Sequence, residues 1–159
     1  FLEHKHLLRQ HYTEDAFPPD DYVVPFGRAR IAREGSELTI VTYGATVEKS
    51  LQVAGQLETE GRSVEVIDLR SLAPWDHETV EGSVRKTGRV LVVHEDGLTC
   101  GFGAEVAAYI GEHIFDALDA PVTRVGAKDV LVGYEPTLER AILPQTEDIS
   151  SACRALLAY

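Results

Sequence analysis

The stretch RVLVVHEDGLTCGFGAEVAAYI, residues 89–110, decides the fold that we predict for this chain. It opens with a continuous apolar run, which is typical of a strand in a sheet that helices cover on both faces. A glycine-bearing turn follows, and the pattern then predicts a helix from about Ala104 to Leu118. A strand that leads directly into a helix is the repeating unit of an α/β domain.

The same alternation continues on both sides of this stretch. Further strands are predicted from LTIVTYG at residues 38–44, SVEVIDL at 63–69 and PVTRVGA at 121–127. Further helices are predicted at residues 46–59, from a cap at Asp76 to Val84, at 135–142 and at 147–157. We therefore predict a three-layer α/β/α sandwich with a mainly parallel sheet of about five strands.

The first part of the chain differs from this pattern. Residues 1–25 are polar and acidic and contain Pro18, Pro19 and Pro25, so they predict an incoming segment followed by an extended linker. Residues 26–159 then form one domain. The chain has no methionine and begins abruptly, which predicts a fragment or a processed product.

Composition excludes several functions. The 159 residues carry a formal net charge of −11, and an acidic surface repels both nucleic-acid phosphates and anionic membranes. No apolar run is as long as a membrane span, and no signal peptide is visible. Cys100 and Cys153 lie far apart and outside any Cys-x-x-Cys motif, which indicates a reducing compartment and no secretion.

The best catalytic candidate in the chain is His94, which ends a predicted strand beside Glu95 and Asp96. Three such side chains can form an acid–base cluster, but they can equally cap and solvate a loop, and we favour the structural interpretation. No Ser in a G-x-S-x-G elbow and no cysteine in a basic environment is present. The residues therefore predict a fold without a complete catalytic set.

The turn that contains Gly101 and Gly103 resembles a phosphate-binding loop, because it follows a strand and opens a helix. The third glycine of the GxGxxG pattern is replaced by Val106, and the preceding carboxylates repel phosphate. We therefore predict that the two glycines permit a tight turn and close helix packing.

After the second predicted strand, Arg70 can bind a phosphate or pair with Asp68, and we favour a buried structural ion pair.

The remaining histidines are predicted to be exposed polar residues. His4 and His6 form a His-x-His pair, but no matching carboxylate or cysteine set completes a metal site, and His11 adds none. His77 and His113 lie on predicted helices whose patterns place them towards solvent. No metal site is therefore predicted.

Several blocks of the sequence resemble the beta subunits of 2-oxo acid dehydrogenases. They are VIDLRSLAPWD at residues 66–76, SVRKTGRVLVVHE at 83–95 and TCGFGAEVAA at 99–108, with FLEHKHLLR at 1–9 and VPFGRARIAREGSELTIVTYG at 24–44. The family comprises the first components of branched-chain and pyruvate dehydrogenases, and the Pro-Trp-Asp and His-Glu blocks are closer to the branched-chain type. The resemblance implies a carboxy-terminal domain of the transketolase type, preceded by a pyrimidine-binding domain that this chain lacks.

This resemblance implies oxidative decarboxylation with thiamine diphosphate and magnesium, followed by acyl transfer to a lipoyl group. The cofactor lies between other domains of the family, so none is expected on this domain, and no decarboxylation is expected from this chain alone. The implied partners are an alpha subunit or domain, a second beta chain and the lipoyl acyltransferase binding domain. The implied location is the bacterial cytoplasm or the mitochondrial matrix.

Two docking positions follow from the same resemblance. In the pyruvate enzymes an acidic residue before an Ala-Pro pair contacts the basic binding domain of the acyltransferase, and here that residue is Asp119. The terminal carboxylate, here on Tyr159, also takes part in the family. The sequence departs from the family at AKDVLVGYEP, residues 127–136, where an Asp-Thr-Pro-x-Pro run is usual.

Two other functions remain open from the residues. A stand-alone protein-interaction module would also lack an internal catalytic set. Other transketolase-like enzymes, such as a sugar-phosphate synthase or an acetoin-cleaving dehydrogenase, share this type of domain.

Overall fold

The computed structural model describes residues 2–11 and 16–159, so Phe1 and residues 12–15, where part of the predicted linker falls, lie outside the described residues. The strands are β1 (Arg30–Arg33), β2 (Leu38–Thr42), β3 (Val64–Asp68), β4 (Val90–Gly97) and β5 (Thr123–Ala127). The helices are α1 (Thr46–Thr59), α2 (His77–Thr87), α3 (Phe102–His113), α4 (Pro136–Ile142) and α5 (Thr146–Leu156). Short 3-10 turns cover Leu7–Arg9 and Phe115–Ala117.

The five strands form one sheet in the order β1-β3-β2-β4-β5. The pairs β3–β2, β2–β4 and β4–β5 are parallel, and β1 pairs with β3 in the antiparallel direction. The predicted mainly parallel sheet is therefore confirmed. The pattern missed β1, because the short sequence RIAR is half-exposed and carries no apolar run.

Helices cover the sheet on both faces, which confirms the three-layer prediction. One core lies under α1 and α5 and includes Ile40, Leu57, Val66, Leu91 and Leu156. The other lies under α2 and α3 and includes Val41, Ile67, Val84, Val92 and Ile110. Neighbouring residues of one strand point to opposite faces, so the continuous apolar runs of β2 and β4 supply both cores.

Helix α2 begins and ends at the signals seen in the sequence. The carboxylate of Asp76 accepts hydrogen bonds from the Thr79 backbone N–H at 3.1 Å and from the Thr79 hydroxyl at 2.8 Å. Gly88 ends the helix with a φ of 68°, a left-handed conformation that glycine adopts without strain, and its N–H donates to the Val84 carbonyl at 2.8 Å. The helix runs to Thr87, one turn beyond the predicted end.

Helix α3 is shorter than predicted. It begins at Phe102 and ends at His113, because Ile114 has a φ of −136° and leaves the helical conformation. The 3-10 turn Phe115–Ala117 then leads towards β5. The expected helix to Leu118 is therefore wrong in its last five residues.

Candidate functional site

The best catalytic candidate, His94, is buried at the carboxyl end of β4 with no exposed surface. Its ring stacks parallel to that of Tyr43, with 6.2 Å between the ring centroids and 5° between the planes. Neither ring nitrogen has a hydrogen-bond partner among the described residues. Burial lowers the pKa of His94, although Asp96 opposes this effect, and so favours the neutral imidazole. The side chain fills space between strand and helix.

The three consecutive polar residues at the end of β4 do not form a cluster, since their side chains have separate partners. Glu95 accepts a hydrogen bond from His4 Nε2 at 3.0 Å and lies 3.7 Å from Lys49 Nζ. Asp96 accepts from the Phe102 backbone N–H at 3.3 Å. These contacts fit the predicted structural interpretation, in which the carboxylates hold a loop and a helix terminus.

The glycines of the turn before α3 make room for this packing. A methyl group built at Gly103 would lie 2.1 Å from His94 Nε2, and one built at Gly101 would lie 2.1 Å from the Gly97 carbonyl oxygen. The amino end of α3 is already capped by the Asp96 carboxylate, which takes the position that a phosphate would need. The geometry therefore agrees with close packing and leaves no phosphate cradle in this turn.

Arg70 has a structural role, but its partners differ from those predicted. Its guanidinium donates to the backbone carbonyls of Arg28 at 2.9 Å and Ala29 at 3.1 Å, and its backbone N–H donates to Asp68 Oδ1 at 3.2 Å. The side chain is exposed, so the predicted buried ion pair with Asp68 is wrong. Burial raises the pKa of Asp68, while the hydrogen bond from the Arg70 N–H and the charges of Arg30 and Arg70 oppose this rise.

The histidines follow the prediction with one exception. His4, His6, His11 and His113 are exposed. His77 is half-buried instead, because its ring stacks on that of Trp75, with 3.8 Å between the two ring centroids. Within residues 2–11 and 16–159 no group of three or more His, Cys, Asp or Glu side chains is arranged to hold a metal ion.

The two cysteines differ strongly in solvent exposure. Cys100 is exposed in the turn between β4 and α3. Cys153 is buried in the core under α5, and this burial raises the pKa of its thiol to about 12. A thiol with that pKa is almost wholly protonated at neutral pH and is a poor nucleophile.

The two predicted docking residues lie at the opposite end of the sheet from His94. The Asp119 backbone N–H donates to the Gly88 carbonyl just before β4 begins, and Ala120 packs in the same core as Leu156, near the chain's last residue. The Asp119 side chain is 64% exposed, and Arg89 lies 3.7 Å from its carboxylate. The Tyr159 side chain is also exposed. Both residues are therefore accessible at the amino end of the sheet.

The divergent segment 127–136 is anchored at its start and exposed beyond it. The Asp129 carboxylate accepts hydrogen bonds from the Thr99 backbone N–H at 3.1 Å and from the Thr99 hydroxyl at 2.6 Å. Leu131 and Tyr134, which follow, are fully exposed apolar and aromatic side chains. The sequence departure noted above therefore produces an apolar loop at the carboxyl end of the sheet.

The three layers, the mixed sheet and the antiparallel first strand define the class as an α/β/α domain with one reversed edge strand. The family model "Transketolase, C-terminal domain" matches residues 27–149. The chain belongs to this family, as its sequence blocks predicted.

Relatives match the whole chain. It is 45% identical over 159 residues to a mitochondrial 2-oxoisovalerate dehydrogenase subunit beta 2 of Arabidopsis thaliana, covering 100% of this chain and 43% of the relative. It is 40% identical to the pyruvate dehydrogenase E1 component subunit beta of Staphylococcus epidermidis (strain RP62A), and 39% identical to a 2-oxoisovalerate dehydrogenase subunit beta of Bacillus subtilis. These matches cover 100% of this chain and 48% of each bacterial relative. The chain spans less than half the length of these relatives.

Solved structures share the fold. One described as a split gene transketolase, an inactive beta4 tetramer, is 33% identical with a TM-score of 0.77, covering 91% of this chain and 46% of that chain. A 2-oxoglutarate:ferredoxin oxidoreductase from Magnetococcus marinus, at 12% identity and a TM-score of 0.54, covers 82% of this chain and 19% of that chain and shares the fold alone.

The described residues do not fit thiamine diphosphate and magnesium, the group implied by the resemblance. They offer no carboxylate cluster for the metal, and the Asp96 carboxylate occupies the amino end of α3, where a diphosphate would otherwise be attracted.

None of the described helices is long and apolar enough to cross a membrane.

Proposed function

We propose that this chain is the carboxy-terminal domain of the beta subunit in the first component of a 2-oxo acid dehydrogenase. The observation that carries the proposal is the 39–45% identity along the whole chain to relatives named for pyruvate and for 2-oxoisovalerate. The parent enzyme would decarboxylate a branched-chain 2-oxo acid or pyruvate oxidatively, with thiamine diphosphate and magnesium held by other domains. In this proposal residues 1–25 enter from the pyrimidine-binding domain, and residues 26–159 form the carboxy-terminal domain.

In this proposal the domain serves assembly and docking. Its helices contact an alpha subunit or domain and a second beta chain, and the amino end of its sheet receives the lipoyl acyltransferase binding domain. The exposed carboxylate of Asp119 supports this role, because an accessible carboxylate steers a basic partner and accepts charge-assisted hydrogen bonds, and the exposed Tyr159 side chain lies at the same end of the sheet. The bacterial and mitochondrial names of the relatives support the bacterial cytoplasm or the mitochondrial matrix as the location.

An activity panel tests the proposal. The full-length polypeptide that carries this chain is co-expressed with its alpha partner, and reduction of an artificial electron acceptor is measured with pyruvate, branched-chain 2-oxo acids and sugar phosphates. We expect turnover with a 2-oxo acid that requires added thiamine diphosphate and magnesium. Turnover of sugar phosphates alone would instead support a transketolase, the second candidate, which the split gene transketolase structure favours. No turnover with any substrate would favour an interaction module.

Replacement of Asp119 by Ala is expected to weaken binding of the assembled enzyme to the acyltransferase binding domain about threefold to fivefold at low salt. The loss arises because an accessible carboxylate no longer faces the basic partner. The matched control is Asp116→Ala, since Asp116 is also exposed and lies three residues away, paired with Arg85. Calorimetric titration at two salt concentrations measures both variants. Equal effects of the two substitutions would contradict docking at Asp119.

A further inference from the structure

The strand β5 forms one border of the sheet, and its outer edge pairs with no other strand in the described part of the chain. The strand at the opposite border, β1, has two arginines and a register shift between Ile31 and Arg33, which are features that discourage pairing with another strand. The outer edge of β5 carries no proline, and its residues Thr123 to Gly126 are half-buried. Just beyond the strand the Lys128 backbone N–H donates to the Ile142 carbonyl at 3.1 Å, so the part of the edge that remains open to a further strand is residues 123–126.

A groove of about 660 Å³ runs beside this edge. Arg124, Val125 and Gly126 of β5 form one side, and the end of α4 at Ile142 with the following connection at Pro144 forms the other. A free strand edge beside an apolar wall is the arrangement that proteins use to bind an extended peptide by strand addition.

The charge around the groove indicates what kind of peptide fits. Its lining has more basic than acidic side chains, since Arg124, Lys128 and Arg140 stand against Glu147 and Asp148, and Arg140 pairs with Glu147 at 2.8 Å. Lys128 also lines the groove and is exposed. The groove therefore offers a cation in a chain whose net charge is −11, and it favours an acidic segment.

A segment with the matching chemistry occurs in this chain itself. Residues 20–25, DDYVVP, combine two aspartates with Tyr22 and two valines, residue types that favour strands. The segment belongs to no helix or strand, and Tyr22 is 57% and Val23 75% exposed. Its Pro25 would stop the pairing at one end, as proline does in edge strands.

We propose that residues 20–25 of a second copy of this chain add as a strand to the outer edge of β5. Backbone hydrogen bonds hold the strand, Val23 or Val24 packs on the wall at Ile142, and Asp20 or Asp21 faces Lys128. The proposed function already includes a contact between the helices and a second beta chain. The inference adds a different contact, at the outer edge of β5, and does not depend on the proposed enzymatic activity.

Disulfide cross-linking between two copies tests the pairing. The full-length polypeptide is made with Cys100→Ser, and one copy carries Val23→Cys while a differently tagged copy carries cysteine at Thr123, Arg124 or Val125 in turn. Facing residues of paired strands come close enough for a disulfide, and side chains alternate between faces. We therefore expect the yield of cross-linked heterodimer to alternate along β5. The yield at a favourable position should be about fivefold higher than at the positions next to it. The matched control carries Ile31→Cys on β1, which is also exposed.

Three results would overturn the proposal. They are the absence of a cross-link, equal cross-linking to Ile31→Cys, and cross-linking of the β5 cysteines to a different polypeptide instead of to Val23→Cys.

A charge exchange provides an independent check with the same readout. Asp21→Lys and Lys128→Glu are each expected to slow cross-linking about threefold, and the two together are expected to restore it. Lys5→Glu, an equal change of charge on an exposed residue, is expected to leave the rate unchanged.

Discussion

Replacement of Gly103 by Ala is expected to destabilise the domain by about 3 kcal/mol. The added methyl group would lie 2.1 Å from His94 Nε2 and 3.2 Å from Val92 Cγ1, and both side chains are enclosed by the core. The imidazole cannot move aside without disturbing its stacking on Tyr43 or the start of α3. Urea denaturation followed by circular dichroism measures the change in the free energy of unfolding.

The control for this prediction is Gly111→Ala on the same helix. A methyl group at Gly111 meets nothing within 4 Å, so the higher helix propensity of alanine should stabilise the domain by up to about 1 kcal/mol. The opposite signs of the two substitutions separate crowding at His94 from any general effect of alanine in α3. If His94→Ala is added to Gly103→Ala, the combined loss should be smaller than the sum of the two, because the clash is gone. Equal stability of Gly103→Ala and the wild type would contradict the packing.

Replacement of Lys86 by Met is expected to destabilise the domain by about 2 kcal/mol at pH 7. The carboxylate of Glu65 is fully buried in β3, where it accepts hydrogen bonds from Lys86, Ser83 and the Gly35 backbone N–H. Without the ammonium group a buried charge is left without its counter-ion. The expected loss is below that of a fully buried pair, because the Lys86 side chain is 41% exposed.

The pH dependence of this loss gives a second test. Burial alone would raise the pKa of Glu65, but the hydrogen bonds from Lys86, Ser83 and Gly35 outweigh it and hold the pKa below its ordinary value. In the wild type this carboxylate therefore contributes stability above its unfolded-state pKa and loses it as the pH falls through the folded-state pKa. In Lys86→Met burial dominates, so the deficit relative to wild type should shrink between pH 7 and pH 4. Denaturation midpoints across this range measure the trend.

The matched control for Lys86 is its neighbour Arg85. Arg85 pairs with Asp116 at 3.1 Å, and both side chains are largely exposed, so Arg85→Met should cost less than about 1 kcal/mol. Adding Glu65→Gln to Lys86→Met removes the unpaired charge and should recover part of the stability. A loss in Lys86→Met no larger than that in Arg85→Met would contradict the role assigned to the buried carboxylate.

The regular part of the fold could be predicted because its signals are local. The strand-like stretches LTIVTYG, SVEVIDL, RVLVVHE and PVTRVGA identified β2, β3, β4 and β5, and a cap at Asp76 with a glycine at 88 fixed the limits of α2 to within one turn. Strand β1 was missed because its stability comes from pairing with β3, whose partner residues lie 33 to 38 positions away in the sequence. The end of α3 was misplaced because the apolar spacing continues into the 3-10 turn Phe115–Ala117.

The site was harder to predict, because side-chain partners are set by tertiary contacts. No local signal shows that His77 stacks on Trp75, or that Arg70 binds backbone carbonyls at residues 28 and 29. The buried carboxylate of Glu65 was also missed, since its partner Lys86 lies on another element. A charged residue in the middle of an otherwise apolar strand, as in SVEVIDL, was the one available sign of it.

The unequal burial of the two cysteines provides a built-in reporter. The thiol of Cys153 has a pKa of about 12 and no access to solvent, whereas Cys100 lies exposed beside the start of α3. A maleimide dye should therefore attach to one thiol in the native chain and to two after unfolding. The dye would sit at the carboxyl end of the sheet, opposite Asp119, so assembly at either end can be followed by fluorescence without introducing a new cysteine.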